Sequence, residues 1–183
     1  MISKDADQVK VGVDGVISSA DLGSTAPTTV DGVLDAAFTD LGYVSEDGVT
    51  ETHDRTQEMI RAWQNAQVVR TVTTEGTTTF SFTLLQTSAD VVAEYYGGTV
   101  AVDGSIVTDP SDERPHRAYV IDIVDGTDKI RKYIPDGQIT EVGDIVYANG
   151  EPIGYEVTLM AYYNDTLSGS VKHWFASLDT SGS

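Results

Sequence analysis

The sequence predicts a mainly β domain: an antiparallel β-sandwich or barrel with one flanking α-helix, a long inter-strand loop and extended terminal arms. Runs rich in Val, Thr, Ile, Phe and Tyr recur along the second half of the chain, and these residue types suit the pleated, half-buried surface of a strand. Asp125-Gly126 and Asn149-Gly150 stand between such runs, and Asp-Gly and Asn-Gly supply the positive φ angles of tight hairpin turns. One segment, SADVVAEYYGG, has helical spacing.

From the N-terminus, residues 1–35 are rich in Gly, Ser, Thr and Asp. Within this arm the alternating run VKVGVDGVIS at 9–18 predicts one strand with loose flanks. AFTDLGYV, from Ala36, predicts a short strand or an ordered turn. The polar stretch 46–66 predicts an extended loop. QVVRTVTTE at 67–75 and TTTFSFTLLQT at 77–87 predict a hairpin turning at Gly76. In the second run Phe80, Phe82 and Leu84 alternate with Thr79, Ser81 and Thr83, so one face is expected to be buried and the other polar.

The helix is placed at about 88–96. Thr87 or Ser88 can cap its start, Val91, Val92, Tyr95 and Tyr96 share one side, and Gly97 can end it in the left-handed conformation. Strands follow at 118–124 and 128–134, then QITEVGDIVYA and EPIGYEVTLMAYY, with VKHWFAS at 171–177 closing a sheet. No internal repeat of fixed period is apparent. The whole of 1–183 is expected to be one domain, with 67–163 as its sandwich core and 164–183 as a C-terminal strand or arm.

Composition narrows the function classes. The chain has 29 acidic and 11 basic residues, a net charge of −18, and no cysteine. Disulfides, thiolate zinc sites and cysteine nucleophiles are thereby excluded, and a reducing compartment is suited. MISKDADQVK carries acids where a secretion signal needs a basic and then an apolar region, and no run is long and apolar enough to span a membrane. A soluble intracellular product without a membrane partner is expected. The acids, spread along the chain, repel phosphate and disfavour ordinary nucleic-acid binding.

Glycine motifs for phosphates or dinucleotides, the paired-histidine zinc signature and the glycine-flanked serine of hydrolases are absent from the sequence. Glu51, His53, Asp54 and Glu58 could converge on a divalent ion or do acid/base work, but a solvated loop in an acidic chain has the same composition. Asp109, Asp112 and Glu113 lack the glycine and spacing of a calcium loop and read as a polar turn. His116 and His173 have no recognisable nucleophile partner and read as strand surface residues. Asp122 and Glu156 would make a glycosidase-like pair only at a suitable separation. Asn164-Asp165-Thr166 matches a glycosylation acceptor, without meaning in an unsecreted chain. No catalytic residue, metal or cofactor is assigned. Met59, Ile60 and Trp63 carry apolar surface on an otherwise polar connection; they either fold back onto their own sheet or dock onto another subunit.

LGYVSEDGVTE at 41–51, IRAW at 60–63 leading into VVRTV at 68–72, PDGQITEVGDIVY at 135–147 and GEPIGYEVTLMAY at 150–162 occur in this order. Together, over about 36–163, they resemble the major tail tube protein of long-tailed, non-contractile bacteriophages. The resemblance implies a structural virion protein with no enzymatic activity, made and assembled in the host bacterial cytoplasm. It implies homo-hexameric rings that stack into a tube, with the tape measure, tail terminator and distal tail proteins as partners and genomic DNA passing through the lumen. It further implies that a long loop, here Thr52 to Ala66, reaches an adjacent ring.

On that basis Met59, Ile60 and Trp63 are expected to contact another subunit. The polar faces of 77–84, with Thr79, Ser81 and Thr83, and of 128–134 are expected to line the lumen. Lys129, Arg131 and Lys132 conflict with an acidic lumen unless they pair with acids of a neighbouring subunit. The alternative is a monomeric β-sandwich serving as a binding or decoration module of a virion tail.

Overall fold

A computed structural model of the chain describes residues 4–179. Eight strands form one antiparallel sheet that is not closed into a barrel. They are β1 (Asp14–Asp21), β2 (Thr39–Asp40), β3 (Val44–Arg61), β4 (Val68–Leu84), β5 (His116–Asp125), β6 (Asp128–Val142), β7 (Tyr155–Ala161) and β8 (Lys172–Phe175). The spatial order is β2-β1-β5-β6-β7-β4-β3, with β8 also on β6. The helix α1 (Ala89–Tyr96) joins β4 to β5.

β6 turns this single sheet into a sandwich. Its first half pairs with β5 on one side and β8 on the other; from Gly137 its second half pairs with β7 where β8 has ended. Pairing with β5 is interrupted between Ile134 and Gly137, and pairing with β7 between Ile139 and Glu141. Bulges bend a strand and sharpen its twist, and Pro135 lies inside the first, where a missing N–H costs no ladder bond. Gly137 is required there because a Cβ would stand 2.9 Å from Leu159 and from Tyr119 side-chain atoms. The expected strands 128–134 and QITEV are therefore one strand, and Pro-Asp-Gly is a bend in it.

The two halves enclose the main core: Ile17, Tyr119, Ile121 and Ile134 from one, and Phe80, Phe82, Leu84, Val157 and Leu159 from the other. At one end Val91 and Tyr95 of α1 cover it. Ser88 caps α1 by accepting from Val91 N at 3.3 Å, and Gly97 ends it at φ 73°, as its sequence predicts. Arg114 donates to the carbonyls of Tyr95 (2.7 Å) and Glu94 (3.2 Å), a cation at the negative end of the helix. Asn149-Gly150 stands in a broader connection between β6 and β7 rather than a tight hairpin turn.

The second face of β5 and β6 is also covered. Ala118, Val120 and Tyr133 pack with Leu34, Phe38 and Trp174. Arg131, 2% exposed, forks onto both Asp122 oxygens (2.7 and 2.8 Å) and donates to the carbonyls of Thr29 (3.1 Å) and Gly32 (2.6 Å). The 22–38 segment is thus strapped across the sheet. The polar face of 128–134, expected to line the lumen, is thus covered by residues of its own chain.

Candidate functional site

The segment 46–66, expected as a loop, is mostly strand. β3 and β4 pair from Val44↔Leu84 out to Arg61↔Val68. β4 runs straight through Gly76, which faces Arg55, so the turn expected at Gly76 lies instead at Trp63–Ala66. There Ala62 N donates to Gln67 O at 2.8 Å, and Asn65 and Ala66 take positive φ. Glycine lacks a side chain to pack and reads as punctuation, yet an exposed ribbon needs no packing at that position.

β7 accompanies β4 only as far as Thr78. Beyond it the ribbon of 54–61 with 68–77 has no further strand on either edge among the described residues. Its eight-residue limb projects roughly 25 Å at about 3.3 Å per residue. At its end Met59, Ile60, Val68 and Val69 are exposed, and Trp63 is 98% exposed. Trp63 therefore does not fold back onto its own sheet.

Where the hairpin joins the sandwich, Phe80, Phe82 and Leu84 point into the core, while Thr79, Ser81 and Thr83 point outward. Across neighbouring strands the same outward face carries Thr50 and Thr52, paired with Ser81 and Thr79, and Glu156, Thr158 and Met160. Ser81 and Thr158 hydroxyls lie 3.2 Å apart. No lysine or arginine belongs to this set. The outer edge of β3 is unpaired among the described strands, as is the β5-facing edge of β6 beyond Gln138.

The charged groups singled out in the sequence are dispersed into structural pairs. Glu51 and Lys132 lie on inner faces of opposite sheet halves, opposite Phe80 and Ile121, and form an ion pair across one end of the core. His53 stands 3.2 Å from Glu51 and 3.1 Å from the Thr78 hydroxyl. Asp54 and Glu58 continue along the exposed arm, and among the described residues no three His, Cys, Asp or Glu are grouped to hold a metal. Lys129 pairs with Asp122 at 2.7 Å. All three cations at 129–132 thus have acids within their own chain, which removes the need for a neighbour's acids.

Asp122 lies on the strapped face and Glu156 on the open face of the other half, so the glycosidase-like pairing is overturned. Asp109 accepts from Ser111 N (2.9 Å) and hydroxyl (2.6 Å), and these bonds hold its carboxyl below the usual range in a polar turn. His116 lies 2.5 Å from Asp136. His173 lies 3.3 Å from Lys132; loss of hydration and then Lys132 lower its pKa from the ordinary value. Sequence reasoning missed Glu94, which is buried on α1, accepts from Tyr119 OH at 2.8 Å and stands 3.6 Å from Arg117. Burial and the Glu94 carboxylate push the Tyr119 phenol far above its ordinary value.

A family model described as "Phage tail tube protein" matches residues 2–177. No curated protein matches the chain. Among solved structures, a chain of the PVC sheath–tube complex of an extracellular contractile injection system, in the extended state, is similar at TM-score 0.46 and 11% identity, covering 94% of this chain and 99% of that one. An Hcp protein is similar at TM-score 0.32 and 11% identity, covering 87% and 97%.

Proposed function

Because the chain belongs to the phage tail tube protein family, a family of structural proteins and not of enzymes, we propose that it assembles into homo-hexameric rings that stack into a tail tube through which genomic DNA is ejected. The observation that carries this reading is the projecting ribbon 54–61/68–77 with its exposed Met59, Ile60 and Trp63. A two-stranded ribbon standing alone in water is marginally stable, and aromatic anchors concentrate binding energy when they are buried at an interface. The ribbon is the arm that reaches the adjacent ring.

Ring closure is assigned to the open edges. Unpaired strand edges recruit further strands. The β3 edge of one copy meeting the β6 edge of the next is a heterologous contact, the kind that closes into a ring. Thr79, Ser81 and Thr83, on a face without lysine or arginine, then line the lumen. At −18 per copy a hexameric ring carries on the order of a hundred negative charges, which repel phosphate, so DNA slides without sticking. Tape measure, tail terminator and distal tail proteins are the further partners, with assembly in the host bacterial cytoplasm and residence in the virion.

Trp63→Ala tests the arm. The variant is expected to keep the thermal transition of the free chain, since the side chain is already exposed, and to reduce tube yield at least tenfold by pelleting. Loss of the thermal transition, or full tube yield, would contradict an arm whose tip is buried only on assembly.

A further inference from the structure

The tip of the arm and one groove of the same chain are complementary, and we propose that the arm tip of one copy seats in the groove between β1 and the Val44–Val49 bulge of another. This rests on the self-assembly reading above and gives the arm its receptor. The tip, residues 59–70, holds Arg61 and Arg70 and no acid, in a chain where acids outnumber bases 29 to 11. It also presents Met59, Ile60, Trp63, Val68 and Val69 to solvent. A local excess of positive charge around an exposed indole calls for an acidic rim around an apolar floor.

The groove supplies both. It occupies 790 Å³ on the open side of the sandwich, where β3 parts from β4 between Val44 and Val49. Its apolar lining includes the exposed Val13, Val16 and Tyr43 and the half-buried Val44 and Val49, over the buried Ile17 and Ile121 of the main core. Five acids line it: Asp14, Asp40, Glu46 and Asp47 are exposed, and Asp122 is paired with Arg131 and Lys129; no lysine or arginine lines it. Gly12 and Gly15 let one wall lie close against β5: a Cβ there would stand 3.3 Å from Ile123 and 3.2 Å from the Asp122 carbonyl. The Ser45 hydroxyl, in the opposite wall, is buried with no hydrogen-bond partner among the described residues. The volume is large enough for an open groove to receive a large aromatic group.

The occupant must come from another copy. β3 leaves the groove at Val49 and runs through Arg61 before turning, which carries the tip roughly 40 Å away at about 3.3 Å per residue. Tip and groove are different patches, so their contact is heterologous and repeats from copy to copy along an axis. Trp63 would cover the exposed apolar side chains of the groove, Val13, Val16 and Tyr43, and Arg61 and Arg70 would face its four exposed acids, fixing which partner and which register are accepted.

Since the chain has no cysteine, one engineered pair can be read cleanly. Gln64→Cys at the tip and Asp47→Cys at the rim, both exposed, are combined in one chain and treated after assembly with a short bis-maleimide. Gln64→Cys with Glu156→Cys on the open polar face is the comparison. Docking in the groove gives a ladder of covalent multimers from the first pair, at least fivefold stronger than from the second. Tubes that form normally yet cross-link no better through Asp47→Cys than through Glu156→Cys would overturn the groove and leave self-assembly standing. If the unmodified chain forms no tubes, the self-assembly reading fails and the docking fails with it.

Discussion

Arg131 shows how far a residue's meaning depends on its neighbours. In the sequence it belongs to a basic run, Lys129 to Lys132, that would bind DNA if it faced a lumen. In the fold it is buried against Asp122 and two strap carbonyls. Taking away one member of a buried pair leaves the other charge desolvated, at a cost of about 3–5 kcal/mol. Asp122→Ala should lower stability by that amount in chemical denaturation; a loss below about 1 kcal/mol would mean the pair is solvated.

His173 offers a pH test. Its folded pKa lies below the ordinary 6.5, so the unfolded chain takes up the proton first. Stability is therefore complete above about 6.5 and falls as pH drops towards the folded value. His173→Gln should flatten the fall in thermal midpoint between pH 7 and 5; an unchanged slope would assign that fall wholly to other groups. None of these contacts is legible from sequence, because each joins residues that only the sheet register brings together.

At the scale of elements, local signals were sufficient where local chemistry decides. The cap at Ser88, the left-handed Gly97 and the alternation of Phe80, Phe82 and Leu84 with Thr79, Ser81 and Thr83 all stand where the pattern puts them. Two glycines misled. Gly76 lies within a strand, and Gly137 with Pro135 bends β6 without ending it. A turn and a bulge use the same residues, and only the partners of the flanking strand distinguish them. The polar composition of 46–66 hid a strand because an arm surrounded by water needs no buried face; the threonines at 50, 52 and 56 were the available signal. Gly137→Ala should cost about 1–3 kcal/mol through overpacking against Leu159 and Tyr119. A variant as stable as the parent would show that the corner is looser than its contacts require.

For the whole molecule, charge and shape point outward. A net −18 sets free copies against one another, while under the proposed assembly the arm, the groove and the two edges unpaired among the described residues are the surfaces that another copy covers. Electron microscopy of the purified, unmodified chain across a concentration series tests the central claim most directly. Self-assembly through these surfaces predicts six-fold rings or tubes with an open lumen above a critical concentration. Small monodisperse particles at every concentration, as a monomeric β-sandwich would give, would contradict it.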